Sequence, residues 1–411
     1  MPPHRCQRVS IDLPAMAQEI NPTSERDFDI ILFGASSFVG KITARYIKAN
    51  HPELTVALAA RGAGRVNGLK LDYPVIVADA MDAEAMDALA KRAKVIITTV
   101  GPYTRYGDNL VAACAQNGTG YVDLCGEALF IRRSIDNWHE VAQETGARIV
   151  HSCGFDSVPS DMGMFYLHQH ANRPLTEVTM AVERLSGGLS GGTIDSMREV
   201  SADAKRMPKG GAILHSPHSL SPDHKQEPDL GPEPDRFVEY DELVGQWVGP
   251  FFMAMFNTRV VRRSNSLMNH AYGERLRYRE AMTTGQGLLG QAKAKLLHAA
   301  TVAGFALIMI PGLRKPLSRF IPEPGDGPKD IEKGGFTIAH YGKDEDGHVY
   351  VTEVSAEGDP GYKTTAMMLT EAAVTLVNHP GEGGVLTPAT ALGAPYIEAL
   401  DSHGMRFRVR Q

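Results

Sequence analysis

Short apolar runs alternate with amphipathic stretches over the first 155 residues, and this alternation limits the possible folds more than any other feature of the chain. The first run, Phe28–Phe33, ends at a glycine, and apolar residues then recur at helical spacing from residue 38 to residue 47. Further runs of strand length follow at 55–60, 75–78, 95–100, 121–124 and 148–152. Strands and helices that alternate in this way predict an α/β fold with a doubly wound parallel sheet of the Rossmann type.

The turn after the first run has the composition of a phosphate-binding turn. It reads Gly34, Ala35, Ser36, Ser37, Phe38, Val39 and Gly40. The first glycine lets the chain turn sharply and the last lets the helix pack on the strand, while the N–H groups at the helix N-terminus can bind a pyrophosphate. Ser37 stands where the GxxGxxG pattern has its middle glycine, and its hydroxyl could donate to a phosphate. We predict a dinucleotide-binding turn in which all seven residues contact the cofactor.

An arginine stands at the end of the second predicted strand, where NAD-binding folds carry a carboxylate about 20 residues after the turn. The strand ends at Ala60, Arg61 and Gly62 follow, and Arg65 lies close behind. A guanidinium can bind the 2′-phosphate of NADP through charge-assisted hydrogen bonds, each worth about 1.5–3 kcal/mol. The sequence therefore predicts NADP, used as NADPH, with Arg61 as a contact. A solvated loop arginine is the alternative.

Two further strand ends supply candidate cofactor contacts. Asp79 ends the third predicted strand and is expected either to contact the adenine or to cap the next helix. Gly101 and Pro102 follow the fourth strand, at the carboxyl edge where ligands bind in such sheets. We predict that Gly101 and Pro102 form the wall beside the nicotinamide.

The regular alternation stops near residue 161, and this change predicts the domain organisation. We expect a flexible tail over 1–26 (with Met16 as an alternative start), an NADP-binding Rossmann domain over 27–155, and an α+β substrate domain over 156–355. Residues 207–241 are rich in proline, histidine and acids, and predict a long surface loop or lid within the second domain.

Residues 296–310 form the one long apolar stretch. As a helix it would span about 22 Å, short of the roughly 30 Å of a bilayer's hydrocarbon core, so a spanning helix is not expected. A buried or docking helix and an interfacial helix that makes peripheral membrane or lipid contact both remain open.

Composition excludes several classes of protein and site. The formal net charge is −6, from 42 basic and 48 acidic residues, which gives no electrostatic reason to expect nucleic acid as a partner. The four cysteines form neither a CxxC pair nor a zinc spacing, which favours a reducing, cytoplasmic location. His215, His218 and His224 cluster in sequence, but no carboxylate or cysteine completes a zinc set, so no metal is expected.

Seven segments between residue 27 and about residue 395 together resemble a known family. They are 34–40, 99–107, 121–127, 153–161, 190–193, 257–264 and 359–362. The combination is similar to the saccharopine-dehydrogenase-like oxidoreductases, and within them to the trans-acting enoyl reductases of mycobacterial lipid biosynthesis. Ser37 departs from the family's usual middle glycine or threonine-glycine pair.

The resemblance implies both an activity and an architecture. The activity is NADPH-dependent reduction of an acyl-chain double bond left by a polyketide synthase that lacks its own reductase domain. The substrate would then be an acyl or polyketide intermediate carried by that synthase. The architecture implies that the C-terminal segment 356–411 returns to pack on the Rossmann domain.

Two segments of the second domain could serve such a substrate. Residues 247–256 are the most aromatic part of the chain and suit either core packing or a pocket for a long acyl chain. The basic residues Arg259, Arg262, Arg263, Arg275, Arg277 and Arg279 could dock an acidic carrier protein or its phosphopantetheine, or could form a solvated face.

Enoyl reduction needs a proton donor besides the hydride of the cofactor. None of the 13 tyrosines has a lysine four positions later, which argues against the Tyr-x-x-x-Lys chemistry of short-chain dehydrogenases. Tyr103, beside the predicted nicotinamide wall, is the first candidate for acid or oxyanion donor. Asp156 and Ser157, at the domain junction, are the second candidates.

Two alternative functions remain open. An amino-acid dehydrogenase of the saccharopine type would need charged recognition of its substrate, and the apolar second domain speaks against it. A non-enzymatic, lipid-associated protein that keeps the fold is suggested by residues 296–310.

Overall fold

The computed structural model describes residues 26–187, 200, 203–207, 210–231, 238–309, 327–328 and 330–410. The predicted tail lies outside these residues except for Arg26, whose guanidinium donates to the carbonyl oxygens of Ala90 and Asn117. The glycine-rich segment 190–193 of the family resemblance likewise lies outside the described residues.

The elements follow the predicted alternation closely. The strands are β1 (Phe28–Phe33), β2 (Val56–Ala60), β3 (Val75–Val77), β4 (Ala93–Thr98), β5 (Gly120–Asp123), β6 (Arg148–Val150), β7 (Glu177–Ser186), β8 (Glu239–Asp241), β9 (Gln246–Pro250), β10 (Arg277–Gly285), β11 (Gly335–Lys343), β12 (Val349–Glu357), β13 (Gly384–Leu386) and β14 (Arg406–Arg410). The helices are α1 (Phe38–Asn50), α2 (Ala63–Asn67), α3 (Ala83–Ala90), α4 (Tyr103–Tyr106), α5 (Asp108–Gln116), α6 (Ala128–Thr145), α7 (Val158–Ala171), α8 (Gly210–His215), α9 (Ala254–Leu267), α10 (Gly287–Met309), α11 (Thr365–Asn378, after a π-helical turn at Pro360–Thr364) and α12 (Pro388–Ser402).

The first sheet is parallel throughout, with strand order β13-β6-β5-β4-β1-β2-β3. Its central strand β1 is buried on both faces because its residues are apolar at successive positions. Ile31 and Phe33 belong to the core on one face, and Ile30 and Leu32 to the core on the other. Helices therefore cover both faces, and the predicted Rossmann-type doubly wound sheet is confirmed.

The second sheet is mixed, with order β14-β12-β11-β7-β10-β9-β8. Only the pair β7–β10 is parallel, while the other neighbours are antiparallel. Helix α7 packs on β12 and β11, and α10 packs on β9. This mixed sheet with its helices confirms the predicted second α+β domain.

The C-terminal segment 356–411 contributes to both sheets. Helix α11 packs on α1, β4 and β5, and β13 pairs with β6 at the edge of the first sheet. Strand β14 then pairs with β12 of the second sheet. The segment thus connects the two domains, because α11 and β13 pack on the first sheet and β14 belongs to the second.

Helix α10 contains most of the apolar stretch 296–310. It packs through Ala294 and Leu297 against Gly249 of β9, yet Leu288, Leu289, Leu296 and Val302 are exposed. Among the described residues, no helix is long and apolar enough to cross a membrane. Lipid contact through this helix stays a prediction.

The arginines of α9 point into the protein, and the predicted docking patch is wrong for them. Arg259 donates to the carbonyl oxygens of Leu214 and Ser216, and the buried Arg263 donates to those of Leu220 and Val385. The bonds to Leu214, Ser216 and Leu220 hold the end of α8 and the residues up to 220 of the predicted loop 207–241 against α9. The helical spacing of arginines in a sequence does not show whether their side chains contact solvent or donate to main-chain carbonyl oxygens.

Candidate cofactor site and active site

The turn between β1 and α1 needs glycine at both ends. Gly34 has φ of +91°, and a Cβ there would lie 2.6 Å from Thr99 Oγ1. A Cβ on Gly40 would lie 2.3 Å from the carbonyl oxygen of Gly34. Neither position can hold a larger residue without moving the turn, and such close backbone packing is the arrangement that phosphate-binding turns require.

Ser37 stabilises the turn at the position of the pattern's middle glycine. The serine is the N-cap of α1, and its Oγ accepts from the N–H of Gly40 at 2.9 Å. Thr99 Oγ1 donates to the Gly34 carbonyl oxygen at 3.0 Å, so the Ser37 hydroxyl can donate to Thr99 at 2.9 Å. The hydroxyl is thus engaged within the protein, while the first-turn N–H groups of Phe38 and Val39 have no intrahelical partner and can bind an anion.

Arg61 lies where a 2′-phosphate contact is required, at the carboxyl end of β2. Its side chain is exposed and has no hydrogen bond or ion pair with the residues that the structure describes. A Cβ on the neighbouring Gly62 or Gly64 would meet nothing within 4 Å, so the surroundings are open. These features fit a guanidinium that receives an anionic ligand.

Asp79 lies at the end of the neighbouring strand β3 and is exposed. Its Oδ1 accepts from the N–H of Met81 at 3.0 Å, which forms the turn into α3. The helix itself is capped by Asp82, which accepts from the N–H groups of Glu84 and Ala85. Asp79 is therefore not the helix cap, and its contact with the adenine remains a prediction.

A buried carboxylate, Asp123, holds the loops at the carboxyl ends of β5 and β6. Its Oδ1 accepts from the N–H groups of Cys125 and Ser152, both at 2.9 Å. Its Oδ2 accepts from the hydroxyl of Tyr121 at 2.8 Å and from Nδ1 of His151 at 2.7 Å. Four donors satisfy the charge, so this carboxylate is a structural anchor of the site.

A second buried carboxylate, Glu127, holds the loop after β4. It accepts from the N–H groups of Tyr103 at 3.0 Å and Thr104 at 2.7 Å, and so satisfies the first turn of α4. The preceding Gly101–Pro102 bond is cis, and Gly101 is exposed at the carboxyl edge of the sheet. Gly101 and Pro102 thus lie at the expected edge, next to a helix turn that Glu127 holds, and their contact with the nicotinamide stays a prediction.

Tyr103 turns away from this edge into the core. Its side chain is 4% exposed, and its ring packs on Phe130. The hydroxyl donates to the carbonyl oxygen of Thr98 at 3.1 Å and lies 3.4 Å from the N–H of Leu124. Burial raises the pKa of Tyr103 well above that of a free tyrosine. This geometry argues for a structural role, and we do not retain Tyr103 as proton donor.

Asp156, unlike Tyr103, is partly exposed at this edge and has the acidity that a proton donor needs. It lies between β6 and α7 at the same edge, half-buried, and accepts no hydrogen bond from the described residues. A Cβ on Gly126 would lie 4.0 Å from its Oδ2, so it faces the loop after β5. Burial raises the pKa of Asp156 to about 6. A carboxyl that is unpaired and can be protonated near neutral pH is suited to proton transfer.

The neighbouring Ser157 belongs instead to a buried network beneath the site. Its hydroxyl donates to Asn257 Oδ1 at 3.3 Å, and Asn257 Nδ2 donates to Ser160 at 3.2 Å and Glu280 at 3.0 Å. The hydroxyl of Tyr278 donates to the other oxygen of Glu280 at 3.0 Å. This network joins α7, α9 and β10, and so fixes the start of α7 directly after Asp156.

The cysteines near the site are not nucleophiles. Cys125 and Cys153 are fully buried and free, and burial raises the pKa of both thiols well above the usual value. A thiol that stays protonated is unreactive, so the two act as small core residues.

The comparisons with known proteins agree with this geometry. Residues 30–150 match the family described as the saccharopine dehydrogenase NADP binding domain. A Mycobacterium tuberculosis protein provisionally named a trans-acting enoyl reductase is 42% identical over 409 residues, covering 92% of this chain and 97% of that protein. The trans-acting enoyl reductase of Mycobacterium bovis BCG is 38% identical over 414 residues, covering 93% and 97%.

A solved structure extends the likeness to the whole fold. The apo saccharopine dehydrogenase (L-Glu forming) of Saccharomyces cerevisiae has a TM-score of 0.51 and 13% identity, and it covers 93% of this chain and 100% of its own. The matched NADP-binding domain and these relatives define an oxidoreductase of the saccharopine-dehydrogenase-like class that binds NADP(H). Identity of 38–42% over nearly the full length goes further: the chain belongs to the trans-acting enoyl reductase family. The predicted family and cofactor are confirmed.

Proposed function

We propose that this protein is an NADPH-dependent enoyl reductase that acts in trans on an acyl or polyketide intermediate of complex lipid biosynthesis, carried by a polyketide synthase. The names of the relatives support the reaction class. The observation that carries the proposal within the molecule is Asp156, an unpaired carboxyl whose pKa is raised to about 6, on the same sheet edge as the glycine turn.

Different residues of the chain bind the cofactor, donate the proton and position the loops. The N–H groups at the start of α1 bind the pyrophosphate, and Arg61 binds the 2′-phosphate. NADPH, when bound, supplies the hydride for the β-carbon. Asp156 donates the proton to the α-carbon, while Asp123 and Glu127 hold the loops that carry these groups.

Turnover of enoyl thioesters tests the proposal. The full chain is incubated with NADPH and trans-2-enoyl thioesters of graded length, presented on coenzyme A and on an acyl carrier protein. We expect NADPH oxidation coupled to a saturated product, with the rate depending on chain length and carrier. Reduction of NADP⁺ with saccharopine as the substrate would favour the amino-acid dehydrogenase, and NADPH binding without turnover of any thioester would contradict the proposal.

Cofactor preference tests Arg61 separately. Because Arg61→Ala removes the charge-assisted bonds to the 2′-phosphate, we expect the Kd of NADPH to rise about 10- to 100-fold, with the Kd of NADH unchanged. Arg92→Ala is the matched control, since Arg92 pairs with Asp27 at the opposite end of the first sheet. Fluorescence titration measures the affinities for NADPH and NADH in the wild type and in both variants, and equal loss of NADPH and NADH binding in Arg61→Ala would rule out the role.

A further inference from the structure

Three side chains with metal-ligating atoms converge where α1, α11 and α12 meet, away from the cofactor turn. His51 follows the last residue of α1, Glu371 lies within α11, and His403 follows the last residue of α12. One ligand atom from each of the three lies within 4.8 Å of the other two. They are far apart in the sequence, so no spacing motif predicts that they form a cluster.

The central carboxylate is buried and only half satisfied. Glu371 has no exposed surface; its Oε1 accepts from the hydroxyl of Tyr46 at 2.9 Å and lies 2.8 Å from His51 Nε2. Its Oε2 is buried and accepts no hydrogen bond from the described residues, and His403 Nδ1 lies 3.6 Å away. A buried charged oxygen without a partner is costly, so this atom points to a missing ligand.

The separations suit a small metal ion. With metal–ligand bonds of 2.0–2.1 Å and tetrahedral angles, neighbouring ligand atoms lie about 3.3–3.4 Å apart. His51 Nε2 and Glu371 Oε1 are 2.8 Å apart, somewhat closer than this value, and one ligand atom from each of the three residues lies within 4.8 Å of the others. Small side-chain movements would therefore complete a coordination shell.

The surroundings of both histidines match those of metal ligands, whose second ring nitrogen commonly donates to a carboxylate or a carbonyl oxygen. His51 Nδ1 lies 3.5 Å from Glu53 Oε1. His403 Nδ1 lies 2.8 Å from the carbonyl oxygen of Ala399, a bond that is kept when Nε2 acts as the ligand.

An entry path and room for a water ligand are present. A cavity of about 540 Å³ is lined by Tyr46 and His403, together with Lys363, Arg406 and Arg408. The His403 side chain is 25% exposed, whereas Glu371 is closed off behind it. The cluster is thus reached from the His403 side.

We propose that His51, Glu371 and His403 bind one divalent transition metal ion, with zinc as the preferred ion. Two imidazoles and one carboxylate favour zinc over magnesium or calcium, which prefer oxygen ligands. The ion fixes α1 of the Rossmann domain to α11 and α12 of the C-terminal segment, and it is structural because the cluster is separate from Asp156 and the glycine turn.

Isothermal titration of the full chain with zinc chloride, after dialysis against a chelator, tests the site. We expect one zinc per chain and a rise in Tm on zinc addition. His403→Ala, at the exposed side, should weaken the affinity by about 100-fold or more and remove the rise in Tm. His348→Ala is the matched control, because His348 belongs to the other described group of possible ligands, Asp344, Asp346 and His348.

Further measurements distinguish loss of this metal site from loss of folding and from zinc binding at other places on the protein. Far-UV circular dichroism shows whether each variant folds, and Glu371→Gln, which keeps the side-chain shape, should also lose zinc binding if it folds. The visible d–d absorption of Co²⁺ bound in place of zinc should report tetrahedral coordination in the wild type and vanish in His403→Ala. No zinc binding by the wild type, or equal binding by the wild type and His403→Ala, would overturn the proposal.

Discussion

Replacing Asp156 by asparagine is expected to slow NADPH-dependent reduction of an enoyl thioester by about 10²- to 10⁴-fold, the usual contribution of a general acid. The amide keeps the size of the side chain but has no acidic proton to donate to the α-carbon. The Kd of NADPH should stay within about 2-fold, because Asp156 makes no hydrogen bond to the described residues of the cofactor turn. Steady-state kcat with fluorescence-measured NADPH affinity checks both parts.

The pH profile gives an independent test of the same residue. Since Asp156 must be protonated to act as acid and its pKa is raised to about 6 by burial, kcat/KM should fall as the pH rises through about 6. Above that pKa the fall approaches tenfold per pH unit, because the protonated fraction falls by that factor. Asp156→Asn should lose this pH dependence along with the rate.

Two neighbouring variants serve as controls. Tyr103→Phe removes a hydroxyl that bonds to the main chain in the core, and Ser157→Ala removes one that bonds to Asn257. Neither hydroxyl is placed to donate to a substrate, so both variants should keep kcat within a few-fold of the wild type. If Tyr103→Phe lost as much activity as Asp156→Asn, or if Asp156→Asn kept wild-type kcat, the assignment of the proton donor would be wrong.

The Rossmann domain could be predicted from sequence because its signals are local. Strand β1 begins and ends as predicted, and the helix over 128–145 ends at Gly146, in the left-handed conformation expected of a C-cap. A buried parallel strand is an apolar run, and a strand-to-helix turn needs glycine where backbones approach closely. The pattern therefore carries most of the topology of the first sheet.

Features that depend on distant contacts could not be predicted in this way. Strand β13 has only three residues and is defined by its pairing with β6, more than 230 positions earlier. The arginines of α9 carry no sequence sign that their partners are main-chain oxygens. The cluster of His51, Glu371 and His403 likewise exists only once three helices meet.

The candidate site was predicted in part, and the gap has a physical reason. From the sequence, Tyr103 is the first candidate for proton donor and Asp156 a second one, since position along the chain does not show which way a side chain turns. Asp123 and Glu127 are not among the sequence candidates, although both lie in the segment 121–127 that carries the family resemblance. Their carboxylates bind the N–H groups of neighbouring loops, so their role appears only when those loops are assembled.

Asp123→Asn is expected to destabilise the fold by about 2–6 kcal/mol, because it leaves two buried donors without an acceptor at about 1–3 kcal/mol each. The carboxylate accepts four hydrogen bonds, and an amide can accept at only one oxygen. Its NH₂ group would face two donors, either the N–H groups of Cys125 and Ser152 or the donors on Tyr121 and His151. The urea midpoint, followed by far-UV circular dichroism, should fall accordingly.

A surface carboxylate provides the matched control. Asp136 pairs with Arg132 on α6 and is 55% exposed, so Asp136→Asn should cost less than about 1 kcal/mol. Because Asp123 also fixes the loop that leads to Asp156, Asp123→Asn should reduce turnover even at temperatures where it remains folded. Equal urea midpoints for the two variants would show that the four hydrogen bonds at Asp123 are not what holds the carboxyl edge of the sheet together.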